Sequence, residues 1–123
     1  DDSVSHAARL MRREHLSSIP VVGDEQRREL VGVISVRDLA LKVIGESRDA
    51  NRTSVYDVMT SVVAACRDED DLASAALALE EHEIRRLPIV NFAGRLVGII
   101  SRDDVYFRGA PPARMVTNVL QAA

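Results

Sequence analysis

Hydrophobic positions recur along this chain in an order that repeats once. Ile19-Pro20-Val21-Val22, a polar loop and Leu30-Val31-Gly32-Val33-Ile34-Ser35-Val36-Arg37-Asp38-Leu39 return as Leu87-Pro88-Ile89-Val90, a polar loop and Leu96-Val97-Gly98-Ile99-Ile100-Ser101-Arg102-Asp103-Asp104-Val105. The loop of the first copy is longer by two residues. An internal duplication implies two like units. A unit of roughly 60 residues buries little surface alone, so the halves are expected to share a core.

Helical spacing precedes each copy. Leu72, Ala75, Ala76 and Leu79 fall at i, i+3, i+4 and i+7 and predict a helix from about Asp71 to His82, capped by Asp70. Val4, Ala7, Ala8 and Met11 repeat the spacing, with Asp2 at the cap. Runs rich in β-branched residues predict strands at about 19–22 and 30–34, then 87–90 and 96–100. Pro20 and Pro88 are placed at strand starts, where a missing N–H is tolerated. Asn91-Phe92-Ala93-Gly94-Arg95 reads as a hairpin loop with Gly94 at positive φ. A second helix is expected in each copy, at about 36–44 and 102–107. Ser54 to Thr60 suggests a helical turn leading into a strand at about Ser61 to Cys66. That strand has no counterpart in the first copy, whose equivalent would precede Asp1. Past Arg108-Gly109-Ala110-Pro111-Pro112, the stripe Met115, Val116, Val119 and Leu120 predicts a terminal helix. The expected divisions are a first motif over 1–45, incomplete at its N-terminus, a polar linker over 46–53, a second motif over 54–108, and a largely helical tail over 109–123.

Composition narrows the partners. With 46% hydrophobic residues the chain reads as globular, and no apolar run approaches the ~20 residues of a membrane span. A net charge of −3 and only two Phe, two Tyr and no Trp argue against nucleic acid, which is held by cations and stacking aromatics. The single Cys66 excludes an internal disulfide and fits a cytoplasmic setting. It reads as a small buried hydrophobe rather than a nucleophile. His6, His15 and His82 lack metal-ligand spacing, and neither a phosphate loop nor a nucleophile elbow is present, so catalysis is a poor reading. Arg85-Arg86 beside Leu87 offers a local anion site.

The order strand–helix–strand–strand–helix, twice, with Gly32-Val33-Ile34-Ser35-Val36-Arg37-Asp38 and Gly98-Ile99-Ile100-Ser101-Arg102-Asp103-Asp104 joining last strand to last helix, resembles the cystathionine-β-synthase (CBS) domain pair, or Bateman module. Val58-Met59-Thr60 before the second unit adds to the likeness, which covers about Ser3 to Arg108. The resemblance implies an α/β (α+β) fold of tandem CBS repeats about a pseudo-twofold axis, the first strand of the first repeat being missing. It also implies clefts for adenosine-bearing ligands. One cleft would combine Thr60, Ala64, Ile84 and Arg85 with Ser35, Arg37 and Asp38. A second, weaker one would combine Leu16 and Ser17 with Ser101, Asp103 and Asp104.

Residue chemistry bears on the same corner. A serine at a strand end and helix start offers a hydroxyl beside backbone N–H groups, suited to a phosphate. An aspartate three residues later can accept from both hydroxyls of a ribose. The plainer alternative is that Ser35 and Ser101 only cap helices and that Asp38 and Asp104 only favour the positive helix end. Arg37 stands where the second copy has Asp103, and a guanidinium attracts phosphate where a carboxylate repels it. The expected function is therefore a regulatory module that binds AMP, ADP, ATP or a similar compound, with S-adenosylmethionine admitted. No further cofactor is required, and the resemblance implies a homodimer. The alternative is a ligand-free dimerisation or protein-interaction module.

Overall fold

The computed structural model of the chain describes residues 2–61, 64–81, 86–102 and 119–122, and the side chain of residue 72 is not described. The chain divides into two compact units, one of residues 1–62 with 118–123 and one of residues 63–117. Among the described residues no helix is long and apolar enough to cross a membrane.

The first unit opens with α1 (Val4–Glu14), capped by Ser3, whose hydroxyl accepts the His6 N–H at 3.1 Å. Val4, Ala7, Leu10 and Met11 are buried. That arc centres on Ala7, which turns Ala8 outward, so Leu10 takes the place that the spacing had given Ala8. The helix ends at His15, exposed and left-handed at φ 56°. Next come β1 (Ser18–Val22) and β2 (Leu30–Ser35), an antiparallel pair in which Pro20 stands third in its strand, opposite Val33. α2 (Val36–Leu39) runs on into a π-helical turn over Ala40–Ile44. α3 (Val55–Val58), capped by Ser54, leads to β3 (Thr60–Ser61), which pairs with β2 at Gly32 and Val33. The sheet order is β3-β2-β1-β7, the last strand being β7 (Leu120–Gln121). Its core joins Val4, Ala7, Ile19, Val21, Ile34 and Val55.

The second unit repeats this scheme. β4 (Cys66–Arg67) pairs in parallel with β5 (Arg86–Val90), and β5 pairs antiparallel with β6 (Leu96–Ser101). The registers match residue for residue: Pro20 faces Val33 as Pro88 faces Ile99, and the ladder slips between Val21 and Val22 as it does between Ile89 and Val90. α4 (Leu72–Glu81) buries Ala75 and Leu79 against Leu87 and Ile100. Its cap is Asp71, which accepts the Ser74 N–H at 2.8 Å. Asp70, expected in that role, instead accepts the Arg67 N–H at 2.8 Å and so closes the turn before the helix. Gly94 takes φ 77° in the β5–β6 hairpin, as its sequence context required.

Two further expectations change. The single strand over 61–66 is two short strands serving two sheets, since residues 60–61 pair with β2 and residues 66–67 with β5. Leu120, expected at the end of the terminal helix, lies instead in β7 (Leu120–Gln121), parallel to β1 at Val21 and Val22. β7 lies beside β1 as β4 lies beside β5, so a strand does fill the place that appeared vacant in the first repeat. The helix expected at 102–107 and residues 109–118 of the tail lie outside the described residues, apart from Arg102.

Candidate functional site

Ser35 is where β2 stops. Its extended backbone (φ −119°, ψ 164°) ends the strand while its side chain starts α2. The Ser35 Oγ accepts the Asp38 N–H at 3.1 Å, and Asp38 Oδ2 accepts both the Ser35 N–H at 2.9 Å and the Ser35 hydroxyl at 3.0 Å. This reciprocal capping box locks the Ser-x-x-Asp corner. The Val36 N–H donates to the Ser17 carbonyl at 2.9 Å, which ties the α1–β1 loop to the same corner.

Thr60 arrives through a close backbone approach. A Cβ on Gly32 would meet Met59 Sδ at 2.5 Å and the Thr60 carbonyl oxygen at 2.9 Å, so only glycine lets β3 lie against β2 here. The Thr60 hydroxyl then donates to Asp38 Oδ1 at 3.1 Å. One helical turn beyond Asp38, Lys42 places its ammonium 3.0 Å from the same Oδ1, 3.0 Å from the Val58 carbonyl and 3.5 Å from Thr60 Oγ1. Asp38 is only 7% exposed. Burial alone would raise its pKa, but the bonds from Lys42, Ser35 and Thr60 together outweigh burial and hold the carboxyl below the ordinary aspartate value. The site therefore carries a fixed, ionised carboxylate.

The expected residues divide as follows. Ser35, Asp38 and Thr60 meet in the first unit, with Arg37 exposed on the first turn of α2. Leu16 is half-buried against the first core, and Ser17 is exposed with its carbonyl engaged. Ala64 is half-buried in the apolar cluster of the second unit. Ser101 ends β6 opposite Arg86. Ile84, Arg85, Asp103 and Asp104 lie outside the described residues. Lys42 was missed, although its i+4 offset from Asp38 is the spacing at which opposite charges meet on a helix. One detail differs from expectation: both Asp38 oxygens were assigned to a ribose, whereas the capping box takes Oδ2 and leaves Oδ1 as the presenting atom.

Other candidate chemistry is muted. Cys66 is buried, and burial together with the negative Asp70 pushes its thiol up. Among the described residues no group of three or more His, Cys, Asp or Glu is placed to hold a metal.

Comparison with known proteins follows the same lines. The CBS domain family model matches residues 1–45 and 55–108. The CBS domain-containing protein YhcV of Bacillus subtilis is 33% identical over 105 residues, 85% of this chain and 71% of that protein. Other curated relatives are longer: the chain spans 47% of an uncharacterized Methanopyrus kandleri protein and 20% of a Staphylococcus haemolyticus inosine-5'-monophosphate dehydrogenase. Among solved structures, Hypoxic Response Protein I with two coordinated zinc ions superposes with TM-score 0.76 at 26% identity, covering 89% of this chain and 85% of that one. CBSX2 in complex with AMP gives TM-score 0.71 at 34% identity, covering 87% and 81%. Duplicated registers, a repeated strand-to-helix corner and these matches lead to one assignment: the chain belongs to the CBS domain family, as a tandem pair of CBS repeats.

Proposed function

We infer that this CBS pair is a regulatory module that binds an adenosine-bearing ligand without transforming it, and that the corner of Ser35, Arg37, Asp38 and Thr60 is its principal contact. The observation that carries this reading is the buried Asp38 carboxylate, oriented through Oδ2 by Ser35 and presenting Oδ1 toward a hydroxyl and an ammonium. A ribose hydroxyl can replace the Thr60 hydroxyl on Oδ1, since both donate the same bond. Exposed Arg37 supplies a forked cation for a phosphate. The solved complex of the 34% identical CBSX2 with AMP supports this ligand class. Ala64, Ile84 and Arg85 complete the proposed contact set. Leu16, Ser17, Ser101, Asp103 and Asp104 make a weaker second site, because Asp103 replaces the cation with a carboxylate.

Calorimetric titration of AMP, ADP, ATP and S-adenosylmethionine against wild type, Asp38→Ala and Asp104→Ala tests this. Affinity is expected to fall at least ~10-fold in Asp38→Ala and less in Asp104→Ala. Equal losses would remove the asymmetry.

A second reading is favoured by Asp38 being bonded internally through both oxygens and by exposed apolar residues on the turn after α2. On this reading the module only dimerises or docks on a protein partner. It predicts no stabilisation by any of the four compounds, whereas a ligand at 100 times its Kd stabilises by about 2.7 kcal/mol.

A further inference from the structure

Among the described residues, four donors meet the Asp38 carboxylate. Oδ2 accepts the Ser35 N–H at 2.9 Å and the Ser35 hydroxyl at 3.0 Å, while Oδ1 accepts the Thr60 hydroxyl at 3.1 Å and the Lys42 ammonium at 3.0 Å. Of these donors only Lys42 carries charge. It stands in the π-helical turn over Ala40–Ile44, and its ammonium reaches Asp38 Oδ1, the Val58 carbonyl at 3.0 Å and Thr60 Oγ1 at 3.5 Å. An ammonium has three N–H donors, so each has an acceptor to face. The side chain is nonetheless 41% exposed, which leaves the cation open to a ligand as well as anchored to the fold. A lysine held in this way differs from one on a solvated surface, whose pairing is loose and whose charge is free to swing away.

We propose that Lys42 is the charge-selecting residue of this corner, fixing its ligand as an adenosine compound with an anionic phosphate and turning away a cationic adenosyl sulfonium. The proposal rests on the reading that the corner of Ser35, Asp38 and Thr60 holds the sugar of an adenosine-bearing ligand. Asp38 alone would offer that ligand a bare negative oxygen, which attracts a sulfonium and repels a phosphate. With the Lys42 ammonium on the same oxygen the pair is neutral, and exposed Arg37 beside Asp38 in the chain tips the balance positive. A ribose hydroxyl that takes over the Thr60 bond to Oδ1 therefore lies against the ammonium too. Lys42 thus does for the charge of the ligand what Ser35 does for the orientation of Asp38: one chooses the chemistry and the other holds the geometry.

The test titrates the full chain and Lys42→Met, which keeps the stem and removes the charge, with AMP, adenosine and S-adenosylmethionine by calorimetry. Wild type should bind AMP more tightly than S-adenosylmethionine, and the margin should narrow as salt is raised. In Lys42→Met the ratio of AMP to S-adenosylmethionine affinity should fall at least ~10-fold, with uncharged adenosine changing by less than about three-fold. Lys42→Arg keeps the charge, so its ratio should stay nearer to wild type than to Lys42→Met. Lys42→Gln serves with the same readouts if Lys42→Met does not fold. A wild type that binds S-adenosylmethionine as tightly as AMP, a ratio unchanged in Lys42→Met, or an equal loss for all three compounds would each overturn the proposal while leaving the adenosine site in place. If wild type binds none of the three, the adenosine reading itself falls and takes the role of Lys42 with it.

Discussion

At Asp38, burial and hydrogen bonding pull in opposite directions, and the bonds prevail. A carboxyl whose folded pKa lies below the ordinary value stabilises the fold fully above the ordinary aspartate range, and that contribution is lost as pH falls through the lower folded value. Stability measured by urea unfolding should therefore differ between wild type and Asp38→Asn at neutral pH, and the gap should close as pH falls below the ordinary aspartate range. A gap independent of pH would mean that the charge of Asp38 contributes nothing. Cys66 shows the reverse case, since burial and the Asp70 charge both disfavour its thiolate. Its reaction with a disulfide reagent at neutral pH should be roughly ten-fold slower, or more, in the folded chain than in urea. Lys42 fits the same scale of description: a cation half-exposed at the surface reaches inward to a carboxylate, a carbonyl and a hydroxyl, and so holds the end of α3 against α2.

Among the elements, the close contact of β2 with β3 rests on the missing side chain of Gly32. Gly32→Ala should destabilise the chain by about 1–3 kcal/mol through overpacking against Met59 and the Thr60 backbone, read as a lower urea midpoint. It should also weaken the proposed nucleotide binding, because Thr60 would move off Asp38. Much of this was legible in sequence. Repeated Gly-aliphatic-aliphatic-Ser strings carried the strand ends and helix starts, and β-branched runs carried β1, β2, β5 and β6 to within a residue or so. What was not legible depends on partners distant in the chain. The division of residues 60–67 between two sheets follows from which strand each half meets, and the strand at Leu120–Gln121 follows from an open edge at β1. Periodicity sees neither. The caps were displaced by one residue because adjacent Asp70 and Asp71, or Asp2 and Ser3, compete for two jobs, and only three-dimensional geometry says which faces the helix.

For the molecule as a whole, apolar surface on the turn after α2 bears on assembly. Leu41 is 55% and Ile44 77% exposed, one turn apart, in a chain of net charge −3. A homodimer through this face should lose its dimer mass in sedimentation velocity when Ile44→Glu is introduced, with the melting temperature of the variant unchanged. Persistence of the dimer would move the interface elsewhere. The pairing of Asp2 with Gln121, whose N–H donates to Asp2 Oδ2 at 2.8 Å and whose carbonyl accepts the Asp2 N–H at 2.8 Å, has a consequence for topology. Because residues 2 and 121 sit as neighbours across a tight turn, a short covalent link between them in a chain cut to residues 2–122 closes a loop at small entropic cost. New ends opened in the exposed 92–94 turn would then give a circularly permuted protein in which β7, Asp2 and α1 follow one another along the backbone, as β4, Asp70 and α4 do now.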